Sequence, residues 1–226
     1  MTDELDGFVF DEVVVERRGV RALDGFSARA PARGITGLFG PSGSGKSTVL
    51  RLCNRLEVPT SGRVWFRGDD VGALDPLRLR RRVGMVFQRP TPFPGTVRDN
   101  LLTAAPEATR QQLEQALERA ALDNSWLERD ATALSGGEAQ RVCVARTLVA
   151  EPEVLMLDES TSALDEDVAR SFEHTVLELT RDGLMVLWVS HDRAQLERVA
   201  DVVIRIHAGR CAASEAIGRK RHSEEM

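Results

Sequence analysis

Tyrosine is absent from the 226 residues, and eight Phe and three Trp make up the whole aromatic complement. Cysteine is nearly as scarce. Cys53, Cys143 and Cys211 are widely separated, odd in number and lack any C-x-x-C spacing, which fits reduced thiols in a cytosolic protein better than a disulfide frame or a zinc site. There is no basic excess: 30 Lys plus Arg stand against 35 Asp plus Glu, net −5, which argues against bulk binding of nucleic acid. No long apolar run occurs either. The longest covers residues 184–189, a strand's length and far below the roughly 20 residues that span a bilayer. The opening residues 1–7 are acidic, without the basic and apolar regions of a signal peptide. A soluble chain is expected, and any work at a membrane needs a second chain to bring it there.

What is present describes a folded α/β protein. Length divided by about 150 gives one to two domains, enough chain to bury a core without crosslinks. With 42% hydrophobic and 29% charged residues, disorder and collagen-like sequence are excluded. Short β-type runs stand at residues 13–15, 35–39, 64–66, 83–87, 154–157, 185–189 and 202–206. Several are apolar throughout, as strands buried on both faces are. Helix-type stretches cover 46–56, 110–122, 137–149, 168–180 and 193–199. The alternation implies βαβ units and a largely parallel sheet. Between Arg89 and Leu134 the rhythm breaks: Pro90, Pro92 and Pro94 precede the stretch 96–103, and then a helix carries Leu113, Leu117 and Ala121 on one face. This region reads as a helical insertion. From Glu215 the end is polar, and Arg219, Lys220 and Arg221 read as a frayed, solvated tail.

Two segments carry chemistry. Gly40-Pro41-Ser42-Gly43-Ser44-Gly45-Lys46-Ser47 follows the apolar run 35–39 and opens a helix, matching G-x-x-x-x-G-K-[ST] in the context that motif needs. Glycines let backbone N–H groups turn inward around phosphate oxygens, and a helix N-terminus favours anions. Lys46 is then placed for the β- and γ-phosphates, Ser47 for Mg²⁺ and Thr48 for a phosphate hydrogen bond. The loop alone gives nucleoside triphosphate binding without saying which NTPase. Further on, the apolar run 154–157 ends in Asp158 and Glu159. Asp158 suits a Walker B acid that holds Mg²⁺ through water. Glu159, one residue on, suits a general base for the attacking water, a role typically worth about 10²- to 10⁴-fold. The plainer alternative for Glu159 is a cap on the next helix.

The segment Leu134-Ser135-Gly136-Gly137-Glu138-Ala139-Gln140-Arg141 resembles the LSGGQ signature of ATP-binding-cassette (ABC) ATPases. It is also a capping box, Ser135 with Glu138 three residues on, though a cap alone does not require two glycines. The resemblance implies that Ser135, Gly136 and Gly137 bind the γ-phosphate of ATP held by an opposite subunit. It extends in order to Gln88 as the Q-loop glutamine, to Ser162-Ala163-Leu164-Asp165 as the D-loop, and to His191 as the switch histidine. The fold it implies is α/β, a P-loop NTPase (RecA-like) core with an antiparallel β-subdomain and an inserted helical subdomain. One cassette would cover 8–210, with the helical subdomain and signature at 89–150 and a polar tail at 211–226. Three positions depart from the pattern. Arg17 stands where an aromatic, often Tyr, usually stacks on adenine; Ser160 replaces the common Pro; Glu138 replaces the commoner Gln.

The resemblance further implies ATP and Mg²⁺ as cofactors and a homodimer of cassettes on nucleotide binding. It implies a separate transmembrane permease, no nucleic acid, and membrane contact at the cytoplasmic face only through that permease. Residues 84–94, Gly-Met-Val-Phe-Gln-Arg-Pro-Thr-Pro-Phe-Pro, and 141–146 look like the ATPase subunit of bacterial phosphate importers. Residues 157–165 and 186–192 instead resemble a compact group linked to iron or UDP-glucose export. Phosphate and a metal ion are thus both open as cargo. A non-transport ABC ATPase driving mechanical work at the membrane is the alternative, and a soluble P-loop kinase is opposed by the signature.

Overall fold

The structure, a computed structural model, describes residues 7–162 and 164–217. The acidic start before Gly7, Ala163 of the expected D-loop, and Arg219, Lys220 and Arg221 lie outside the described residues. In chain order the elements begin β1 (Phe8–Arg17), β2 (Val20–Ala30), β3 (Ile35–Phe39), α1 (Lys46–Cys53), β4 (Ser61–Phe66) and β5 (Asp69–Asp70). They continue α2 (Pro76–Arg82), β6 (Val83–Val86), α3 (Val97–Ala104), α4 (Arg110–Arg119), α5 (Gly136–Leu148) and β7 (Val154–Asp158). The last are α6 (Glu166–Arg181), β8 (Met185–Ser190), α7 (Arg193–Val199), β9 (Val202–His207) and β10 (Arg210–Ala216). The chain divides into two compact units, Met1–Ala73 with Leu187–Met226, and Leu74–Val186.

In the first unit β2, β1, β4 and β5 form an antiparallel sheet in that order. The few aromatics are concentrated there. Phe8, Phe10, Phe26 and Phe66 are all at most 2% exposed, with the Phe8 and Phe66 rings stacked at 4.6 Å and Phe10 edge-on to Phe26 at 5.3 Å. Burying such rings supplies large apolar area and a preferred geometry, so four of the eight Phe organise this one sheet. In the same unit β3 pairs β9 in parallel and β9 pairs β10 antiparallel.

Three hairpins in this unit share one device that sequence reading missed. Arg17 pairs Val20, Phe66 pairs Asp69 and His207 pairs Arg210, leaving two-residue loops. Each loop puts both residues at positive φ: Arg18 and Gly19 at 51° and 80°, Arg67 and Gly68 at 51° and 83°, Ala208 and Gly209 at 48° and 75°. That is the turn whose twist matches paired strands. Arg-Gly and Ala-Gly are weaker signals for it than Asn-Gly, so β2 and β10 went unforeseen. The tail expected from 211 is corrected accordingly: residues 211–216 belong to β10 and pair with β9.

In the second unit β6 pairs β7 in parallel, and every residue of β7 is buried, as its unbroken apolar run predicts. The region 89–134 contains no strand longer than a single bridge between Thr96 and Asp130. The stretch 96–103 forms α3, opened by a reciprocal capping box of Thr96 and Asp99. Leu113 and Leu117 are buried in α4, but the helix stops at Arg119, and Ala121 sits beyond it at φ 56°. The proline loop is pinned by Asn100, fully buried in α3. Its amide accepts from Phe93 N at 2.7 Å and donates to Phe93 O at 2.9 Å. Arg146 of α5 donates to Thr91 O at 3.1 Å and lies 4.6 Å from the Phe93 ring.

Two glycines of the first unit separate backbone strain from crowding. Gly68 has φ 83° with no atom within 4 Å of a would-be Cβ, whereas at Gly62, φ 79°, that Cβ would stand 2.3 Å from Glu12 O. Gly68→Ala is expected to cost about 1 kcal/mol for the left-handed backbone alone. Gly62→Ala is expected to cost distinctly more, read as the difference between their urea midpoints.

Candidate active site

The first unit holds the phosphate loop. Buried β3 delivers the chain to Gly40, and the loop closes on α1 at Lys46. Gly45 has φ 110°, and a Cβ there would meet Leu23 Cδ2 at 2.6 Å and Ala22 O at 2.7 Å. Glycine is therefore forced where β2 presses on the loop. Ser44 N donates to Pro41 O at 3.2 Å and Gly209 N donates to Ser44 O at 3.0 Å. Lys46 is 5% exposed, and its ammonium donates to Gly40 O at 2.8 Å and Pro41 O at 3.0 Å. The loop is thus already folded around its own lysine.

The first turn of α1 sets this helix apart. Among the described residues, α2 to α7 each have a side-chain N-cap, from Asp75, Thr96, Thr109, Ser135, Asp165 and Asp192. Gly45 at the start of α1 makes no such bond. Glycine has no side chain with which to cap the first turn. Ser44 Oγ, buried, has no hydrogen-bond partner. A helix start without a side-chain cap, an orphan hydroxyl and a buried ammonium together fit an anion such as a phosphate. Ser47 is half-buried and Thr48 is 7% exposed behind them.

Arg17 ends β1 and is ion-paired with Glu57, a partner that sequence reading did not identify. Its side chain remains 45% exposed. His191 is exposed just after β8, where Ser190 Oγ accepts from Asp192 N at 3.0 Å and Asp192 caps α7.

The second unit gathers Gln88, Glu159 and Ser162. The Gln88 amide donates to Glu159 Oε2 at 3.1 Å and to Ser162 Oγ at 3.5 Å. Asp158, 8% exposed, ends β7, and Glu159 follows at φ 49°. A glutamate held there carries backbone strain, which concentrates where side-chain aim matters. The cap of α6 is Asp165, whose carboxylate accepts from Val168 N at 3.0 Å. The bland alternative for Glu159 as that cap therefore falls away.

At the signature, the capping box of Ser135 and Glu138 forms as the sequence predicts. The two glycines differ. A Cβ on Gly137 would stand 2.7 Å from Val168 Cγ1, while one on Gly136 would meet nothing within 4 Å. Packing within the chain explains Gly137 and leaves Gly136 without a cause. The phosphate loop, Arg17 and His191 belong to the first unit, and Gln88, Asp158, Glu159, Asp165 and the signature to the second.

A family model described as ABC transporter matches residues 23–162. The chain belongs to the ABC transporter family. It is 43% identical over 199 residues to Protein STAR1 of Oryza sativa, covering 86% of this chain and 58% of that one. It is 39% identical over 212 residues to the phosphate import ATP-binding protein PstB 3 of Natronomonas pharaonis, covering 84% and 77%. Among solved structures, the dimeric ATP-binding cassette MJ0796, in a post-hydrolysis state bound to ADP and Pi, superposes with a TM-score of 0.81 at 26% identity. That match covers 93% of this chain and 98% of that one. The chain is accordingly an ABC ATPase that binds ATP, with the P-loop NTPase fold.

Lys46→Ala removes both bonds to the loop carbonyls and the buried positive charge. A charge-assisted hydrogen bond is worth about 1.5–3 kcal/mol, so ATP affinity is expected to fall roughly 10- to 150-fold. Titration with a fluorescent ATP analogue measures it, and unchanged affinity would refute the assigned contact.

Proposed function

We propose that this ABC ATPase is the energy-supplying subunit of a transporter whose membrane-spanning permease is a separate chain. Two copies sandwich two ATP molecules, each phosphate loop facing the other copy's signature. Lys46 and the loop N–H groups bind the phosphates, and Thr48 adds a hydrogen bond. Ser47, Asp158 and Gln88 offer hard oxygen donors suited to Mg²⁺, which when bound neutralises charge on the transferring phosphoryl group. Glu159 accepts the proton of the attacking water, and His191 contacts the γ-phosphate. Asp165 lies in the loop that meets the partner copy. The permease reading rests on family membership together with the described helices, none of which is long and apolar enough to cross a membrane. It places the protein peripherally on the inner face of the cell membrane, in contact with lipid only through the permease.

The observation that carries the two-copy arrangement is Gly136. Gly136 is the first residue of α5, and none of the described residues comes within 4 Å of a Cβ placed there. That opening at a helix start suits an anionic ligand brought from outside. Gly136→Ala is therefore expected to fold at least as stably as the parent while losing the ATP-dependent dimer. The assay uses Glu159→Gln, which should bind ATP, turn over little and accumulate as a dimer in light scattering. Near-normal hydrolysis by Glu159→Gln would refute its role, and a persistent dimer in Gly136→Ala would refute the glycine's.

Phosphate is the cargo best supported, through the likeness to PstB 3 and the resemblance of residues 84–94. Export of another solute is the second reading, supported by the resemblance of residues 157–165 and 186–192 to the compact export-type group. A neighbouring permease that co-purifies with the chain, with or without a solute-binding protein, separates them.

Base recognition should be weak. With Arg17 tied to Glu57, the face-on aromatic contact with the base is missing, a contact worth roughly 0.5–2 kcal/mol. ATP and GTP are expected to bind within about tenfold of each other in competition titrations; a larger preference for ATP would contradict this.

A further inference from the structure

The signature helix of this chain carries a negative charge at the end where a phosphate would approach. Glu138 and glutamine serve a capping box equally well, so the choice of Glu over Gln differs only by one negative charge. That charge lies at the helix start. Glu138 Oε2 accepts from Ser135 N at 2.8 Å, and Glu138 N donates to Ser135 Oγ at 3.4 Å. An anion already occupies the position where a helix start would receive one. The Ser135 N–H, followed by the Ser135 hydroxyl and Arg129, holds the Glu138 carboxyl below its ordinary pKa, so it is ionised at neutral pH. A phosphate approaching Gly136 from outside meets this carboxylate.

Arg129 answers the charge. Its guanidinium donates to Glu138 Oε1 at 3.3 Å and lies 3.8 Å from the Trp126 ring centroid. The residue is fixed by its backbone as well: Arg129 N donates to Trp126 O at 3.0 Å, and Arg129 O accepts from Val97 N at 3.0 Å. A planar cation held flat on an indole has a defined place. Stability accounts for little of the arrangement, because ion pairs near the surface contribute little, and Arg129 is exposed while Glu138 is half-buried.

We propose that Arg129, held by Trp126, is a positioning residue of the signature that offsets the Glu138 charge so that the helix start can accept the γ-phosphate of ATP carried by a second copy. This rests on the two-copy reading above. In the dimer each copy presents one signature. If each loses about fivefold, the two multiply to about 25-fold.

A double-mutant cycle in the Glu159→Gln background tests it, with ATP-dependent dimerisation read by light scattering and folding by thermal unfolding. Arg129→Ala is expected to weaken the dimer about 25-fold, and Arg129→Lys to retain most of its strength. In Arg129→Ala combined with Glu138→Gln, dimerisation should return close to the parent's, because the neutral amide needs no counter-charge. Glu138→Gln alone keeps the cap and should dimerise as tightly as the parent or more so. An equal loss for Arg129→Ala in both backgrounds, no loss at all, or a weaker dimer in Glu138→Gln alone each overturns the proposal. A Glu159→Gln parent that never dimerises with ATP sinks the two-copy reading and this role with it, whereas a dimerising parent with a flat cycle sinks only the role of Arg129.

Discussion

A helix start without a side-chain cap is the constraint around which the nucleotide machinery is arranged. Six of the seven described α-helices close their first turn with a side-chain oxygen, and α1 alone does not. Giving up that cap has a cost, and the surrounding structure holds the loop in place. Gly45 lets β2 come close enough for Leu23 to back the loop, and Gly209 ties the loop to the β9–β10 turn. Lys46 fills the interior with its own ammonium. The loop's shape is thus held by contacts within the chain, which limits the ordering that binding has to supply.

The second unit uses the same chemistry in a different way. At Ser135 the cap is present, yet Gly136 beside it is open on its outer side. One helix start lacks a side-chain cap and closes its own loop; the other is capped and exposed. The catalytic acid is handled differently again, with Glu159 in a strained backbone conformation and its carboxylate held by Gln88. The glutamine thereby links the proline loop, the acid and Ser162 in one small network.

Much of this was legible in the chain. The strands that bury both faces announce themselves as unbroken apolar runs, and β3, β7 and β8 stand where those runs are. The phosphate loop and signature are local in sequence, so their spacing reveals them. What stayed hidden depends on tertiary pairing or on faint turn chemistry. The β2 and β10 strands rest on Arg-Gly and Ala-Gly turns, and β10 is too weakly apolar to declare itself. Glu57 lies 40 residues from Arg17 and Arg129 lies 9 from Glu138. Only folding makes them neighbours, and no periodicity in the sequence joins them.

The close packing of Gly137 against Val168 has a mechanical meaning. With Arg141 also donating to Ser171 Oγ at 2.6 Å, α5 and α6 are fastened at two levels. The signature opens the first of these helices, and Asp165 opens the second. Movement at one of these helix ends is thereby coupled to the other. In the proposed pair of cassettes, the signature and the Asp165 loop would meet the partner as one edge.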